Sequence, residues 1–224
     1  MRILALSDIH GHAERLERIL GSAGEVDLVL VAGDLTDFGG AAELDLVLAA
    51  MDGQAGKIVA VPGNCDKRAA RERLEALGLS ADGRLVERPG ALVAGVGGSL
   101  LRTGFTPYER HDEELAEALQ TALDEAALLH SDAPVIVLSH QPPRGTGADE
   151  RRGASTGSHE LRAILELEEP LLWVCGHIHE SPCAFRVGSC LVLNPGPAGE
   201  GAWAIVELER EGAGPWYAEA ELFG

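Results

Sequence analysis

Long apolar runs and lysine are the two features that this 224-residue sequence most clearly lacks. No stretch reaches the roughly 18 consecutive apolar residues that a transmembrane helix requires, which excludes such a helix. The N-terminal segment MRILALSDIHGH has no small-residue cleavage site after its short apolar run. We therefore expect no signal peptide and a cytoplasmic location. Without a secretory signal, the four cysteines are predicted to be free thiols.

The shortage of lysine leaves the chain strongly acidic. Lysine occurs only at Lys57 and Lys67, and the formal net charge is −18. An acidic surface repels the phosphates of nucleic acids and of anionic lipids, so we expect neither non-specific nucleic-acid binding nor membrane association. A small phosphorylated substrate remains compatible with this charge if cations lie in the binding site.

Apolar β-branched segments alternate with amphipathic helical segments in the first half of the chain. RILALS, VDLVLVAG and KIVAV are predicted strands, each followed by a helix. Thr106, Pro107 and Glu109 predict the start of a long helix, and His130 is expected to stabilise its C-terminal end. Shorter strands dominate after residue 170. No linker or repeat divides the chain, so we predict one α/β domain over residues 1–224 with sheets covered on both faces.

Polar side chains directly follow five of the predicted strands. One such residue alone would be interpreted as a turn or helix cap. In open α/β sheets, however, ligands bind at the carboxyl ends of the strands, and here every strand end carries a side chain that can bind a metal. Seven side chains exceed what one tetrahedral zinc site needs and suit two divalent cations that share a carboxylate. The seven residues are Asp8, His10, Asp34, Asn64, His140, His177 and His179.

The ordered motifs D-x-H, G-D, G-N, H and G-H-x-H resemble those of the calcineurin-like metallophosphoesterase superfamily. They occupy residues 8–10, 33–34, 63–66, 140 and 176–179, and the GNCD motif is most similar to that of small bacterial and archaeal phosphodiesterases. The resemblance implies a four-layer αββα sandwich with a dinuclear metal site at the strand ends. It also implies roles by position: Asp8, His10 and His179 hold one metal, Asn64, His140 and His177 hold the other, and Asp34 bridges them.

The expected reaction is hydrolysis of a phosphodiester by a hydroxide that bridges two metals. Manganese is the first choice of metal, with iron, nickel, zinc, cobalt or magnesium as alternatives. A phosphomonoesterase or nucleotidase with the same site is one alternative function, and a non-catalytic metal-binding scaffold is another. A homodimer is expected only by analogy with the family.

Position 65 departs from the family pattern, in which a histidine follows the asparagine and the next aspartate orients it. Cys65 and Asp66 stand there and are candidate catalytic residues, as is His12 at the start of the first helix, where it could meet substrate phosphate. A thiol is a weak hydrogen-bond donor, so we hypothesise weaker assistance to the leaving group. A packing role for Cys65, a surface position for His12 and a structural zinc site over residues 175–183 remain open.

Two further segments, 99–112 and 144–157, are expected to shape the pocket. The second contains Arg144, Arg151 and Arg152. These arginines are either phosphate ligands or solvated loop residues.

Overall fold

A computed structural model of the chain describes residues 1–102, 104–129 and 131–224. Thr103 and His130 fall outside these ranges, so the role expected for His130 lies outside the described residues. The α-helices are α1 Ala13–Ala23, α2 Ala41–Ala49, α3 Arg68–Ala76, α4 Asp112–Leu128 and α5 His159–Glu168. None of these helices combines the length and apolarity that crossing a bilayer requires.

The strands agree with the apolar segments of the sequence, and short strands are added in the loops. In chain order they are β1 Arg2–Leu6, β2 Leu28–Ala32, β3 Ile58–Val61, β4 Arg84–Arg88, β5 Ala91–Val96, β6 Ser99–Leu100, β7 Glu109–Arg110, β8 Val135–Ser139, β9 Glu150–Arg151, β10 Ala154–Ser155, β11 Leu172–Val174, β12 Cys183–Val187, β13 Cys190–Asn194, β14 Trp203–Arg210 and β15 Trp216–Phe223.

Two mixed sheets contain most of these strands. The five-stranded sheet has the order β15-β14-β1-β2-β3, and the six-stranded sheet has the order β12-β13-β11-β8-β5-β4. Neighbours among β1, β2 and β3 are parallel, as are neighbours among β5, β8, β11 and β13. Since parallel strands end at the same edge, the carboxyl ends of each parallel set form one edge of its sheet.

Three apolar clusters of the described residues hold the layers together. The first fills the space between the sheets and includes Leu30 of β2 and Ile136 of β8. The second packs helices α1 to α3 on the outer face of the five-stranded sheet, and the third packs α4 and α5 on the outer face of the six-stranded sheet. The predicted αββα arrangement is therefore confirmed.

The long helix begins later than the sequence predicts. α4 starts at Asp112, where the Glu114 carboxylate accepts the His111 N–H at 2.9 Å. Glu109 lies in β7 and accepts hydrogen bonds from the Thr106 N–H and hydroxyl at 3.1 and 2.8 Å. The Thr-Pro-x-Glu stretch thus makes one hydrogen bond of a capping box, from the Thr106 N–H to the Glu109 carboxylate, but pairing of β7 with β6 holds it extended, so the prediction of a helix start there was wrong.

Leu30→Ala tests the core between the sheets. Leu30 is completely buried, and we expect its truncation to lower the free energy of unfolding by about 2–5 kcal/mol through lost burial and a cavity. Urea unfolding gives the value. Leu46→Ala on α2 is the control because that side chain is 68% exposed, and its effect should stay below about 0.5 kcal/mol. Similar losses of unfolding free energy in both variants would contradict the assignment of Leu30 to the core between the sheets.

Candidate metal centre

The predicted ligands converge from both sheets. Each of them lies just after a parallel strand of one of the two sheets. The edge formed by the strand ends of one sheet therefore meets the corresponding edge of the other where these side chains come together. The five-stranded sheet contributes Asp8 and His10 after β1, Asp34 after β2 and Asn64 after β3, whereas the six-stranded sheet contributes His140 after β8, and His177 and His179 after β11.

Asp8, His10 and His179 form the first group. Asp8 Oδ1 lies 3.2 Å from His179 Nε2 and 3.9 Å from His10 Nε2, and the two Nε2 atoms are 3.4 Å apart. The contact with His179 lacks hydrogen-bond geometry, so Asp8 Oδ1 is buried without a hydrogen-bond partner among the described residues. An unpaired buried carboxylate oxygen is costly, and its position beside two imidazole nitrogens fits a divalent cation.

His140 is the centre of the second group. Its Nε2 lies 3.0 Å from Asn64 Oδ1 and 3.5 Å from Asp34 Oδ2, and its ring centroid is 5.1 Å from that of His177. Its Nδ1 lies 2.8 Å from the Ala32 carbonyl oxygen. A proton on Nδ1 makes that hydrogen bond and leaves the lone pair of Nε2 for a cation, as in many histidine ligands.

Asp34 lies between the two groups. Its Oδ2 is 3.8 Å from His10 Nε2 and 3.5 Å from His140 Nε2, while its Oδ1 accepts the Cys65 N–H at 2.7 Å. A Cβ on Gly63 would lie 2.0 Å from Asp34 Oδ1, so only glycine allows this approach. The carboxylate is therefore fixed where a bridging ligand would stand.

Gly176 allows a close approach between the two sheets. A Cβ there would lie 1.7 Å from Ser7 Oγ and 2.7 Å from Asp8 Oδ2. Asp8 Oδ2 accepts hydrogen bonds from the Ser7 hydroxyl and, at 3.0 Å, from the His177 N–H. The carboxylate is thus held by both sheets and presents its other oxygen to the imidazoles. The sequence analysis did not single out Ser7, although it directly precedes Asp8.

Asp8, His10, Asp34 and His177 have a left-handed backbone, with φ values of 53°, 48°, 49° and 68°. For residues other than glycine this conformation costs roughly 1 kcal/mol or more and is concentrated at functional sites. The fold therefore imposes these conformations against local preference. They turn the side chains that follow each strand towards the place where the sheets meet.

Burial and opposite charge act against each other on the pKa values of these groups. Burial raises the pKa of the Asp34 carboxyl group, but His140, the Cys65 N–H and His10 together more than offset this, so the pKa lies below its usual range. Burial lowers the pKa of His140, but Asp34 raises it to about 9. Burial and the charge on His140 lower the pKa of His177 to about 4. The buried carboxylates thus attract positive charge to this place, either as a proton or as a divalent cation.

Asp66 is completely buried and joins two loops. Its carboxylate accepts N–H groups of Gly63, Leu35 and Thr36 at 2.8, 3.2 and 2.8 Å, and the Thr36 hydroxyl at 2.7 Å. Its hydrogen bonds in the described chain do not include one to the thiol of Cys65. Asp66 therefore positions the loops after β2 and β3, and its expected role of orienting residue 65 is not seen.

Cys65 and His12 have different surroundings. Cys65 is 7% exposed, borders the cavity described below, and accepts the Asn64 side-chain N–H at 3.4 Å. Burial and the Asp34 charge raise the pKa of its thiol well above the usual value, so it stays protonated and is a poor nucleophile. His12 is exposed at the start of α1 and does not line that cavity. The surface position left open for His12 is the one observed.

The alternative zinc site over residues 175–183 does not form. Cys175 is buried in the core between the six-stranded sheet and its helices, and its S–H group donates to the Leu193 carbonyl oxygen at 3.6 Å. Within the described chain, Cys175 and Cys183 belong to none of the groups close enough to share a cation. Those groups contain Asp8, His10, Asp34, Cys65, His140 and His179.

A cavity of about 770 Å³ lies over the site, and His10, Asp34, Asn64, His177 and His179 form part of its wall. The remaining wall comes from the segment between β5 and α4, from β9 and from the ends of the loops after β11 and β13. Of the three candidate arginines in the segment 144–157, Arg151 lines the cavity whereas Arg144 and Arg152 do not. The other residues of this wall are Cys65, Ser99, Leu100, Arg102, Thr106, Glu109, Glu180 and Glu200.

Known proteins match both the sequence and the fold. The family model for calcineurin-like phosphoesterases matches residues 1–181. An uncharacterized protein of Methanocaldococcus jannaschii is 30% identical over 202 residues, which is 88% of this chain and 88% of that protein. A crystal structure from Thermus thermophilus has a TM-score of 0.67 and 23% identity, covering 91% of this chain and 92% of its own. A dimetal phosphatase from Danio rerio has a TM-score of 0.64 and 15% identity, covering 92% of each chain. These structural similarities concern the fold.

Gly176→Ala tests the close approach of the sheets. The added Cβ would displace Ser7 and Asp8, so we expect metal affinity to fall by about 10–100-fold, as when supporting contacts of a metal site are lost. Metal content after dialysis against manganese is measured by mass spectrometry. Gly21→Ala is the control because its Cβ would meet nothing within 4 Å. Full metal loading of Gly176→Ala would contradict the prediction.

Proposed function

The chain belongs to the calcineurin-like phosphoesterase family, whose members are metal-dependent phosphoric ester hydrolases, and on that premise we propose that it hydrolyses phosphodiesters. Members of this family act on small phosphorylated substrates at dinuclear divalent metal sites. The observation that carries the proposal is the convergence of two carboxylates, one amide and four imidazoles at the edge where the two sheets meet. This donor set suits divalent transition metals, and we propose manganese as the native one.

The proposed ligand sets are those that the resemblance to the family implies. Two bound divalent cations would supply positive charge for the phosphoryl oxygens and lower the pKa of a water molecule. One set is Asp8, His10 and His179, the other is Asn64, His140 and His177, and Asp34 belongs to both.

The residues around the ligands keep them in place during the reaction. The Ala32 carbonyl oxygen orients the His140 ring, and the Cys65 N–H holds the Asp34 carboxylate. Asp66 joins the loops that carry Asp34 and Asn64, so the site is assembled before a substrate arrives. Preorganisation of this kind supplies much of the catalysis in phosphoryl transfer, which depends on positioning and electrostatics.

One acidic side chain at the cavity wall supports a diester over a monoester. Glu200 lines the cavity, and its Oε1 lies 4.0 Å from His179 Nδ1. A phosphomonoester is largely a dianion near neutral pH, whereas a diester carries a single charge at phosphorus. The carboxylate of Glu200 repels the dianion more strongly, which supports the diester as substrate, although the side chain is 76% exposed and solvent screens much of its charge.

We further propose that residues 1–224 work as one domain. Strand β14, late in the chain, pairs with β1, which is followed by Asp8. The C-terminal segment therefore supports the sheet that carries the metal ligands. The cytoplasmic location and the homodimer stay predictions from the sequence.

A panel of metals and esters tests the proposed function. Protein freed of metal and reloaded with Mn²⁺, Ni²⁺, Mg²⁺ or Zn²⁺ is assayed on bis(p-nitrophenyl) phosphate and p-nitrophenyl phosphate. We expect metal-dependent hydrolysis, with the higher kcat/KM for the diester. Asp34→Asn should lower kcat/KM by about a hundredfold or more because it removes the shared charge.

Asp124→Asn, the same change on the exposed surface of α4, is the matched control and should retain full activity. Preference for the monoester would favour the phosphomonoesterase alternative. No hydrolysis with any metal would favour the non-catalytic scaffold.

Cys65→His and Cys65→Ala test the role of the thiol. The Cys65 N–H, not its side chain, holds Asp34, so both substitutions keep that contact. If a histidine can donate a proton to the leaving group, Cys65→His should raise kcat several-fold on alkyl diesters and less on p-nitrophenyl esters, which have a better leaving group. Cys65→Ala should not raise it. Equal turnover of wild type and both variants on all esters would refute a leaving-group role for position 65.

A further inference from the structure

The cavity wall beyond the metal centre includes a loop organised by a glutamate. The Glu109 carboxylate accepts the N–H groups of Arg102, Gly104 and Thr106 at 2.8, 3.0 and 3.1 Å, and the Thr106 hydroxyl at 2.8 Å. These hydrogen bonds lower the pKa of Glu109 against the effect of burial, so the carboxylate is ionised at neutral pH. The loop therefore holds the backbone of Arg102 in place beside the cavity.

A second loop has the same kind of organisation. Asp149 is completely buried and accepts the N–H groups of Gly145, Thr146 and Gly157 at 3.0, 3.2 and 3.0 Å. This closes the segment around the hairpin of β9 and β10. Arg151, the last residue of β9, is thereby presented to the cavity.

Contacts between the two loops place the arginines in one wall. The Arg102 guanidinium donates from Nη2 to the Thr156 carbonyl oxygen at 3.1 Å, and the Gln141 side chain donates to the same oxygen at 3.3 Å. Arg151 Nε lies 3.6 Å from Glu180 Oε1, and these side chains are 52% and 50% exposed. Such an exposed ion pair contributes little, about 0–1 kcal/mol, so an anionic ligand can compete for Arg151.

We propose that Arg102 and Arg151 form a second anion site in the cavity, so that the preferred substrates are phosphate esters that carry a further phosphoryl group. This inference rests on the proposed function. A guanidinium binds phosphate through two parallel hydrogen bonds, and these are the two arginines in the described wall of the cavity. The cavity, at about 770 Å³, has room for a nucleotide-sized ester and is far larger than one phosphate needs.

Two matched probes test the second site. One is the p-nitrophenyl ester of thymidine 5′-phosphate, and the other is the same compound with an added 3′-phosphate. With the manganese-loaded enzyme, we expect kcat/KM to be about tenfold higher for the probe with the 3′-phosphate, mainly through a lower KM. Arg102→Gln and Arg151→Gln should each reduce this ratio several-fold, whereas Arg102→Lys and Arg151→Lys, which keep the charge but lose the two parallel hydrogen bonds, should give an intermediate ratio.

Arg152→Gln is the matched control. It removes the same charge one residue away, on a side chain that does not line the cavity, and should keep the wild-type ratio. General loosening of the loops would slow both probes equally and leave the ratio unchanged. A wild-type ratio near one, an equal fall in Arg152→Gln, or an unchanged ratio in both Arg→Gln variants would overturn the second site. Hydrolysis of both probes at equal rates would overturn this inference alone, whereas hydrolysis of neither would overturn the proposed function with it.

Discussion

Contact between the strand ends of two separate sheets is the constraint on which the rest of the site depends. Gly176 lies against Ser7 and Asp8 so closely that no side chain fits between them. Through this contact the His177 N–H reaches the Asp8 carboxylate at 3.0 Å, and His140 of one sheet reaches the Ala32 carbonyl oxygen of the other at 2.8 Å. Neither sheet alone holds a complete set of ligands. The candidate metal centre therefore forms only where the two sheets meet, and the core between them keeps that edge in register.

Acidic side chains that bind backbone N–H groups provide the next level of organisation. Asp66, Asp149 and Glu109 each accept several N–H groups of a single loop or of two neighbouring loops. Loops have few hydrogen bonds of their own, and an ionised carboxylate satisfies several donors at once. Much of what surrounds the cavity is thus fixed without regular secondary structure. Some of the acidic side chains of the protein therefore bind backbone N–H groups of the loops and do not simply form an acidic surface.

The net negative charge of the protein repels the proposed anionic substrates only at long range. A net charge of −18 repels anions from the molecule as a whole. Within the cavity, two divalent cations would reverse the local sign, and Arg102 and Arg151 add positive charge on the far loops. Glu180 and Glu200 also lie in the wall, so with the proposed second site the cavity would accept negative charge at the arginines and repel it at the glutamates. Such a pattern selects substrates by the arrangement of their charges.

The family resemblance implied the four-layer arrangement, whereas the sequence by itself determined the succession of strands and helices and the metal-ligand candidates. Both follow from local patterns: apolar segments with strand or helix periodicity, and Asp, Asn or His directly after each parallel strand. The rest of the cavity wall was predicted in part, since the segments 99–112 and 144–157 supply Arg102 and Arg151. Glu180 and Glu200 had no such signal, because only the fold brings them to the cavity. The sequence around Thr106 and Glu109 predicted a helix start that the structure does not have. The hydrogen bond from the Thr106 N–H to the Glu109 carboxylate is compatible with a helix cap and with this loop, and only the pairing of β7 with β6 decides between the two. Tertiary structure alone decided that Asp66 joins two loops, because its carboxylate accepts N–H groups about thirty residues away along the chain as well as that of Gly63.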